Sequence, residues 1–151
     1  FPQNITQVHF IKLRLFDTKG KEVANTFYWR SNDKYEGRKT LTGPTSSGFE
    51  DLSKLKQVQL KTRYQTYQEG DRHFIKAEIK NPSSTVAFFT QLQLLGQDKK
   101  PVRPSFYTDN FFSLLPGESK TVIIETAASD MPSEPTFVVK GWNIKPSSFK
   151  L

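Results

Sequence analysis

The side chains in this 151-residue sequence that could do chemistry are its fifteen carboxylates, two histidines and a large aromatic set of thirteen Phe, five Tyr and two Trp. A transition-metal site needs clustered ligands at a recognisable spacing. His9 and His73 stand far apart with no such partner, and there is no cysteine. Zinc–thiolate and iron–sulfur sites, disulfides and a cysteine nucleophile are therefore not expected. Calcium needs several oxygen ligands in one short loop, and Asp130 and Glu134 supply only two carboxylates around Pro132. A pair of acid–base carboxylates is harder to exclude, but most of the acidic residues have a simpler place. Asp17, Glu69, Asp71, Asp98 and Glu118 fall in turns, where Asp bonds local backbone and Glu is solvated. Glu50 and Asp51 fit the first turn of a short helix. No glycine-rich phosphate loop, nucleophile elbow or kinase signature is present. The sequence thus predicts no catalytic residue, no metal and no cofactor.

The aromatic residues are the better candidates for function. Phe27, Tyr28 and Trp29 end an apolar segment ahead of a long polar one. Alternation places Phe27 and Trp29 on the buried face and Tyr28 opposite. A second group, Phe106, Tyr107, Phe111 and Phe112, flanks Asp109 and Asn110, and Trp142 stands between Gly141 and Asn143. Rings on a strand most often pack into a core. So much apolar surface on a connection must cover the core, seat a neighbouring domain or stack on a sugar. Tyr28, Trp29, Phe111, Phe112 and Trp142 are accordingly the candidate contacts to an oligosaccharide or another domain.

The elements that would carry these rings are strands. Ile11, Leu13 and Leu15 alternate with Lys12 and Arg14. Val58, Leu60, Thr62 and Tyr64 alternate with Gln59, Lys61 and Arg63. The same period of two runs through His73–Lys80 and Phe88–Leu94, as a sheet with one buried face requires. Further strands are expected at 23–30, 120–126 and 136–144. Turn residues punctuate them at Asp17–Gly20, Gln68–Asp71, Asn81–Ser84 and Leu115–Glu118. The segment from Ser31 to Leu55, with Gly37, Gly43, Pro44 and Gly48, reads as a long loop with one helical turn near Asp51–Leu55. About seven strands and no long helix predict an all-β fold, an antiparallel β-sandwich, as a single domain over residues 1–151.

The net charge of +7, from 22 basic against 15 acidic residues, raises nucleic acid as a partner. The basic residues are scattered and form no run, so this partner is not expected. No window approaches the roughly 18 apolar residues that span a bilayer, and no signal segment opens the chain. The first residue is Phe1 rather than Met, which suggests a fragment of a longer protein.

The run Asp109-Asn110-Phe111-Phe112-Ser113-Leu114-Leu115-Pro116-Gly117-Glu118, followed by the apolar strand from Thr121, resembles the C-terminal immunoglobulin-like domain of family 2 glycoside hydrolases. The nearest branch is that of β-mannosidases and exo-β-glucosaminidases. The strand–turn–strand opening that ends in Phe27-Tyr28-Trp29, the alternating central pair and the closing Gly141-Trp142-Asn143 are also similar. The resemblance spans about residues 7–144. It implies an immunoglobulin-like sandwich without catalytic residues of its own, since the acid and base would stand on a separate barrel domain. The implied partners are the other domains of the parent glycosidase and an oligosaccharide. The implied location is periplasmic or extracellular, or lysosomal in a eukaryote.

Overall fold

Period-two alternation is realised as ten strands in the computed structural model, which describes residues 5–32 and 48–151. They are β1 (Val8–Phe16), β2 (Glu22–Ser31), β3 (Lys61–Glu69), β4 (Arg72–Lys80) and β5 (Ala87–Leu95), then β6 (Phe106–Tyr107), β7 (Phe112–Leu114), β8 (Ser119–Ala127), β9 (Thr136–Gly141) and β10 (Ile144–Lys150). The chain divides into two compact units, Phe1–Leu55 and Lys56–Leu151.

In the second unit, two four-stranded sheets run in the orders β3-β4-β8-β6 and β10-β9-β5-β7, with every strand pair antiparallel. Ile75, Ala77 and Ile79 of β4, with Val122 and Ile124 of β8, turn one face inward, while Lys76, Glu78 and Lys80 between the β4 residues stay exposed. Leu92, Leu94, Phe137, Val139 and Leu114 of the other sheet complete the same core. This is the all-β antiparallel sandwich that the alternation predicts, of the immunoglobulin-like kind that the resemblance implies. The β3–β4 connection is two residues long and places Gly70 at φ 58°, a conformation that costs glycine least.

Three strands escape the expected seven. β6 and β7 are only two and three residues long, too short for periodicity to register. The segment expected as one strand over 136–144 breaks at Trp142-Asn143, and β10 returns along β9. Pro146 hides this strand in the sequence. β10 tolerates it because it is an edge strand and its register shifts between Ile144 and Ser147. Val58 is also not part of a regular strand: it bridges Ile144 in parallel, and β3 begins only at Lys61 in the other sheet.

Tyr107 reaches across to the second sheet, where its hydroxyl accepts the Leu94 N–H at 3.0 Å. Burial raises its pKa above the ordinary value, because the phenolate would lose solvent. The unfolded chain then releases this proton first. Stability contributed by the group is complete below about pH 10 and is lost as pH rises through the higher folded-state pKa. Denaturation midpoints measured from pH 8 to 11 should fall at the alkaline end. The Tyr107→Phe variant should show a shallower fall and a cost of about 1 kcal/mol at neutral pH, from the unpaired Leu94 amide.

In the first unit, β1 and β2 form a two-stranded sheet by themselves, with Phe10 opposite Trp29 and Ile11 opposite Tyr28. The expectation of one sandwich over 1–151 counted both strands in its sheets; here they pair only with each other among the described residues. Glu50–Lys54 forms the short helical turn as a 3-10 helix. Most of the long polar segment, residues 33–47, lies outside the described residues.

Candidate functional site: an aromatic row on a bulged strand

Strand β5 does not pair evenly with β7. The register passes from Ala87 opposite Leu114 to Thr90 opposite Phe112, so β5 carries one residue more than its partner in this interval. That is a β-bulge, which re-aims side chains and leaves backbone groups without ladder partners. Phe88 is buried, whereas Phe89 is 39% exposed and sits at φ 58°.

Side chains and turn backbone from the two sequence motifs take up these loose ends. Asn143 is buried, and its Oδ1 accepts the Phe88 N–H at 2.9 Å. Its amide nitrogen donates to the carbonyls of Lys56 and Val86, each at 2.9 Å. The Trp142 N–H donates to the Phe88 carbonyl at 3.0 Å. From the other side, the Phe89 N–H donates to Ser113 Oγ at 3.2 Å. Asn110 brackets Leu92 as a strand would: its Oδ1 accepts the Leu92 N–H at 2.8 Å, and its amide donates to the Leu92 carbonyl at 3.0 Å. Asp109 pairs with Lys120, whose Nζ lies 5.2 Å from the centre of the Phe112 ring. Asp109, Asn110, Ser113 and Asn143 thus each have a structural task at the bulge or beside it.

The outcome is a continuous row of rings. Trp142 and Phe88 are 6.4 Å apart, Phe88 and Phe89 5.7 Å, and Phe89 and Phe111 5.5 Å. Trp142 is 58% and Phe111 49% exposed. Phe111, like Phe89, holds a positive φ, here 57°. A bulky residue in the left-handed region costs on the order of 1 kcal/mol, and such strain persists where surrounding contacts enforce it and gathers at functional sites.

The structure therefore brings Phe111 and Trp142 together through Phe88 and Phe89. Phe112 faces the other way, buried in the core. Tyr28 and Trp29 belong to the hairpin unit, on its opposite faces, and both are substantially exposed; the expectation of a buried Trp29 is not met. Phe89 was missed by the sequence reading. The signal was there, because Phe89 shares a strand face with Gln91 and Gln93, where water is expected. Among the described residues no group of His, Asp or Glu is arranged to hold a metal, and no helix is long and apolar enough to cross a membrane.

Gly141 allows the two motifs to meet. A Cβ at this position would press on the Ile144 side chain and stand 2.9 Å from the Phe89 carbonyl oxygen and 3.1 Å from that of Phe88. The two oxygens belong to backbone, which cannot swing aside. Gly141→Ala should cost about 1–3 kcal/mol in urea denaturation and loosen the Trp142 turn, read as a change in Trp142 fluorescence. An unchanged midpoint would mean that the turn is not packed against β5.

Comparison with known proteins places this arrangement. Residues 40–144 match the family described as the exo-β-D-glucosaminidase Ig-fold domain. The chain belongs to that family. Both clamping residues, Asn110 and Asn143, lie inside the matched stretch, and the β1–β2 hairpin lies before it. The chain is 30% identical over 149 residues to the exo-β-D-glucosaminidase of Streptomyces avermitilis, a match that takes in 92% of this chain and 16% of that protein. It is 28% identical to the exo-β-D-glucosaminidase of Amycolatopsis orientalis, covering 92% of this chain and 14% of the relative. The crystal structure of the A. orientalis exo-chitosanase CsxA superposes with a TM-score of 0.83 at 24% identity, over 99% of this chain and 19% of that one, which shows the shared fold. The chain thus spans less than a fifth of the length of these relatives. Of the two branches to which the motif pointed, the matches fall on the glucosaminidases, and the β-mannosidase assignment gives way to them.

Proposed function

We propose that this chain is a non-catalytic accessory domain of a larger family 2 glycoside hydrolase, an exo-acting β-glucosaminidase, and that the exposed rings of Trp142, Phe89 and Phe111, joined through the buried Phe88, form the surface on which another domain of that enzyme sits. The observation that carries this reading is the pair of neighbouring phenylalanines held at positive φ with their rings outward. A sandwich needing only its own stability would place glycine or asparagine there. Relatives named for glucosaminidase and chitosanase activity support a glucosamine polymer as the substrate of the parent. An enzyme acting on such a polymer works where the polymer is, which favours a periplasmic or extracellular location.

An autonomous carbohydrate-binding module is the second reading, and the exposure of Trp142 favours it. The ring angles oppose it. Phe88 and Trp142 are inclined at 65° and Phe89 and Phe111 at 49°, a knobbed relief suited to interlocking with side chains more than to lying flat against sugar rings.

Phe111→Gly tests the docking reading. In the isolated chain, relief of the positive φ offsets the loss of a half-exposed ring, so the denaturation midpoint should stay within about 1 kcal/mol of the parent sequence. In the full-length enzyme the same change should lower the melting temperature of this domain and loosen its attachment under limited proteolysis. Equal, negligible effects in both settings would contradict the proposal.

A further inference from the structure

We propose that the outer face of the β3–β4–β8 sheet is a binding surface for a carboxylate-bearing polysaccharide. The choice of polymer rests on the reading above, in which the parent enzyme acts on a glucosamine chain.

Basic residues that are scattered in the sequence are gathered here by strand pairing. Ile75, Ala77 and Ile79 are buried in the core, so Lys76, Glu78 and Lys80 face outward. The β3 residues opposite them are Gln65, Arg63 and Lys61. One end of the face therefore carries Lys61, Arg63, Lys76 and Lys80 against the carboxylate of Glu78, all of them exposed. None of these four cations forms an ion pair among the described residues. The other end is balanced internally. Arg72 pairs with Glu125 at 3.2 Å, and Tyr67 and Phe74 stack on each other at 5.0 Å. Lys61 stands directly opposite Lys80, and like charges so placed destabilise a sheet. A departure of this kind from what folding favours marks a site whose charge is balanced from outside.

The surface is also shaped. Two open depressions of about 340 and 430 Å³ lie on it and share Arg63 and Glu78. Gln65, Lys76 and Thr121 line the first, and Lys61 and Lys80 the second. Together they follow β3 from Lys61 to Gln65, a path of roughly 13 Å at the rise of a strand, which takes about two or three sugar units in line.

Charge decides the occupant. Protonated glucosamine units are repelled by this face, so the polymer on which the parent acts is not what it holds. A protein partner calls for an apolar centre, and protein interfaces are depleted in lysine. Here the apolar neighbours of the cations are Ile123 and Pro82, and Tyr64 at the rim is packed on Phe137 and Phe149. Single-stranded nucleic acid needs open rings on which bases stack, whereas Tyr67 and Phe74 are engaged with each other. A carboxylated polysaccharide needs what the face supplies: cations spaced along a strand for its charges, and the Gln65 amide and Thr121 hydroxyl for its hydroxyls. A cationic glucosamine polymer in a neutral matrix is accompanied by polyanions. A face that binds those polyanions holds the enzyme beside its substrate.

Fluorescence anisotropy of labelled oligogalacturonate, titrated with this chain and with the full-length parent, tests the proposal. Both should bind saturably at about 50 mM salt, with affinity falling about tenfold or more by about 200 mM. The double variant Arg63→Gln/Lys76→Gln should lose about tenfold or more in affinity at the lower salt with its melting curve unchanged, and Glu78→Gln should bind more tightly. Lys19→Gln/Lys145→Gln has the same net charge as the first double variant and should bind as the unaltered chain does. Equal losses in the two double variants would show that overall charge draws the polymer, and would overturn the proposal. Oligothymidylate or polyglutamate of matched charge binding as tightly as oligogalacturonate would overturn it too, by assigning the face to another class of partner. Binding by this chain that is missing from the parent would make the face an interdomain contact and equally sink the idea. Phe111→Gly should not alter the titration, so a failure here leaves the docking reading to its own melting experiment.

Discussion

Asn143→Ala should destabilise the 56–151 sandwich by about 3–5 kcal/mol, enough to remove much of the stability of an ordinary domain. The side chain is buried and makes three hydrogen bonds, one accepted from Phe88 and two donated to Lys56 and Val86. Alanine removes all three at once and leaves backbone groups from two separate segments without partners. Each such buried group costs on the order of 1–3 kcal/mol. Asn143→Asp is a sharper control, because a carboxylate can still accept from Phe88 but cannot donate to the two carbonyls. Urea denaturation followed by circular dichroism should rank native above both variants, with neither recovering native stability. A loss below about 1 kcal/mol for the alanine variant would show that water replaces the amide and that the bulge does not depend on it.

Phe137→Ala should cost a similar amount, about 3–5 kcal/mol, through a different mechanism. Phe137 is fully buried near the start of β9. Its ring stacks on Phe149 at 5.8 Å and meets Tyr64 edge-on at 6.2 Å, and the Tyr64 hydroxyl donates to the Lys150 carbonyl at 2.8 Å. One ring therefore ties β10 and β3 to the middle of the core. Its removal leaves a cavity that neighbouring strands, fixed by their ladders, close only in part. Phe137→Leu should recover more than half of the loss, and calorimetric melting of the two variants reads the difference. Equal melting temperatures for the alanine and leucine variants would contradict this packing account.

Alternation made the long strands legible, because β4, β5 and β8 each bury every second residue and a sequence with one wet face must show it. The short strands had no such signal. β7 spans three residues of the run 109–118, and what marked that run was its likeness to a family motif rather than any period. β10 was obscured by Pro146, which only an edge strand with a register shift accepts. The candidate site was partly legible for a related reason. Phe111 and Trp142 stood out as large rings beside turn residues, but their meeting depends on the bulge at Phe88–Phe89. That bulge arises from Asn110, Ser113 and Asn143, far away in sequence. Phe112 looked equivalent to Phe111 in sequence and is not, since Phe112 is buried in the core while the adjacent Phe111 is half-exposed. For Trp29, alternation correctly separated it from Tyr28, but which face of a hairpin is covered depends on what packs against it.

The asparagines hold a strained strand, the strand projects rings, and the rings form a surface beyond what the sandwich itself requires. The measurement that tests this most directly is calorimetric titration of the isolated chain with glucosamine oligosaccharides, with Trp142→Ala as the control. The docking account predicts no heat of binding from either folded protein, since it assigns the exposed rings to a protein partner. Saturable binding that disappears in Trp142→Ala would contradict it and make the aromatic row a sugar-recognition site.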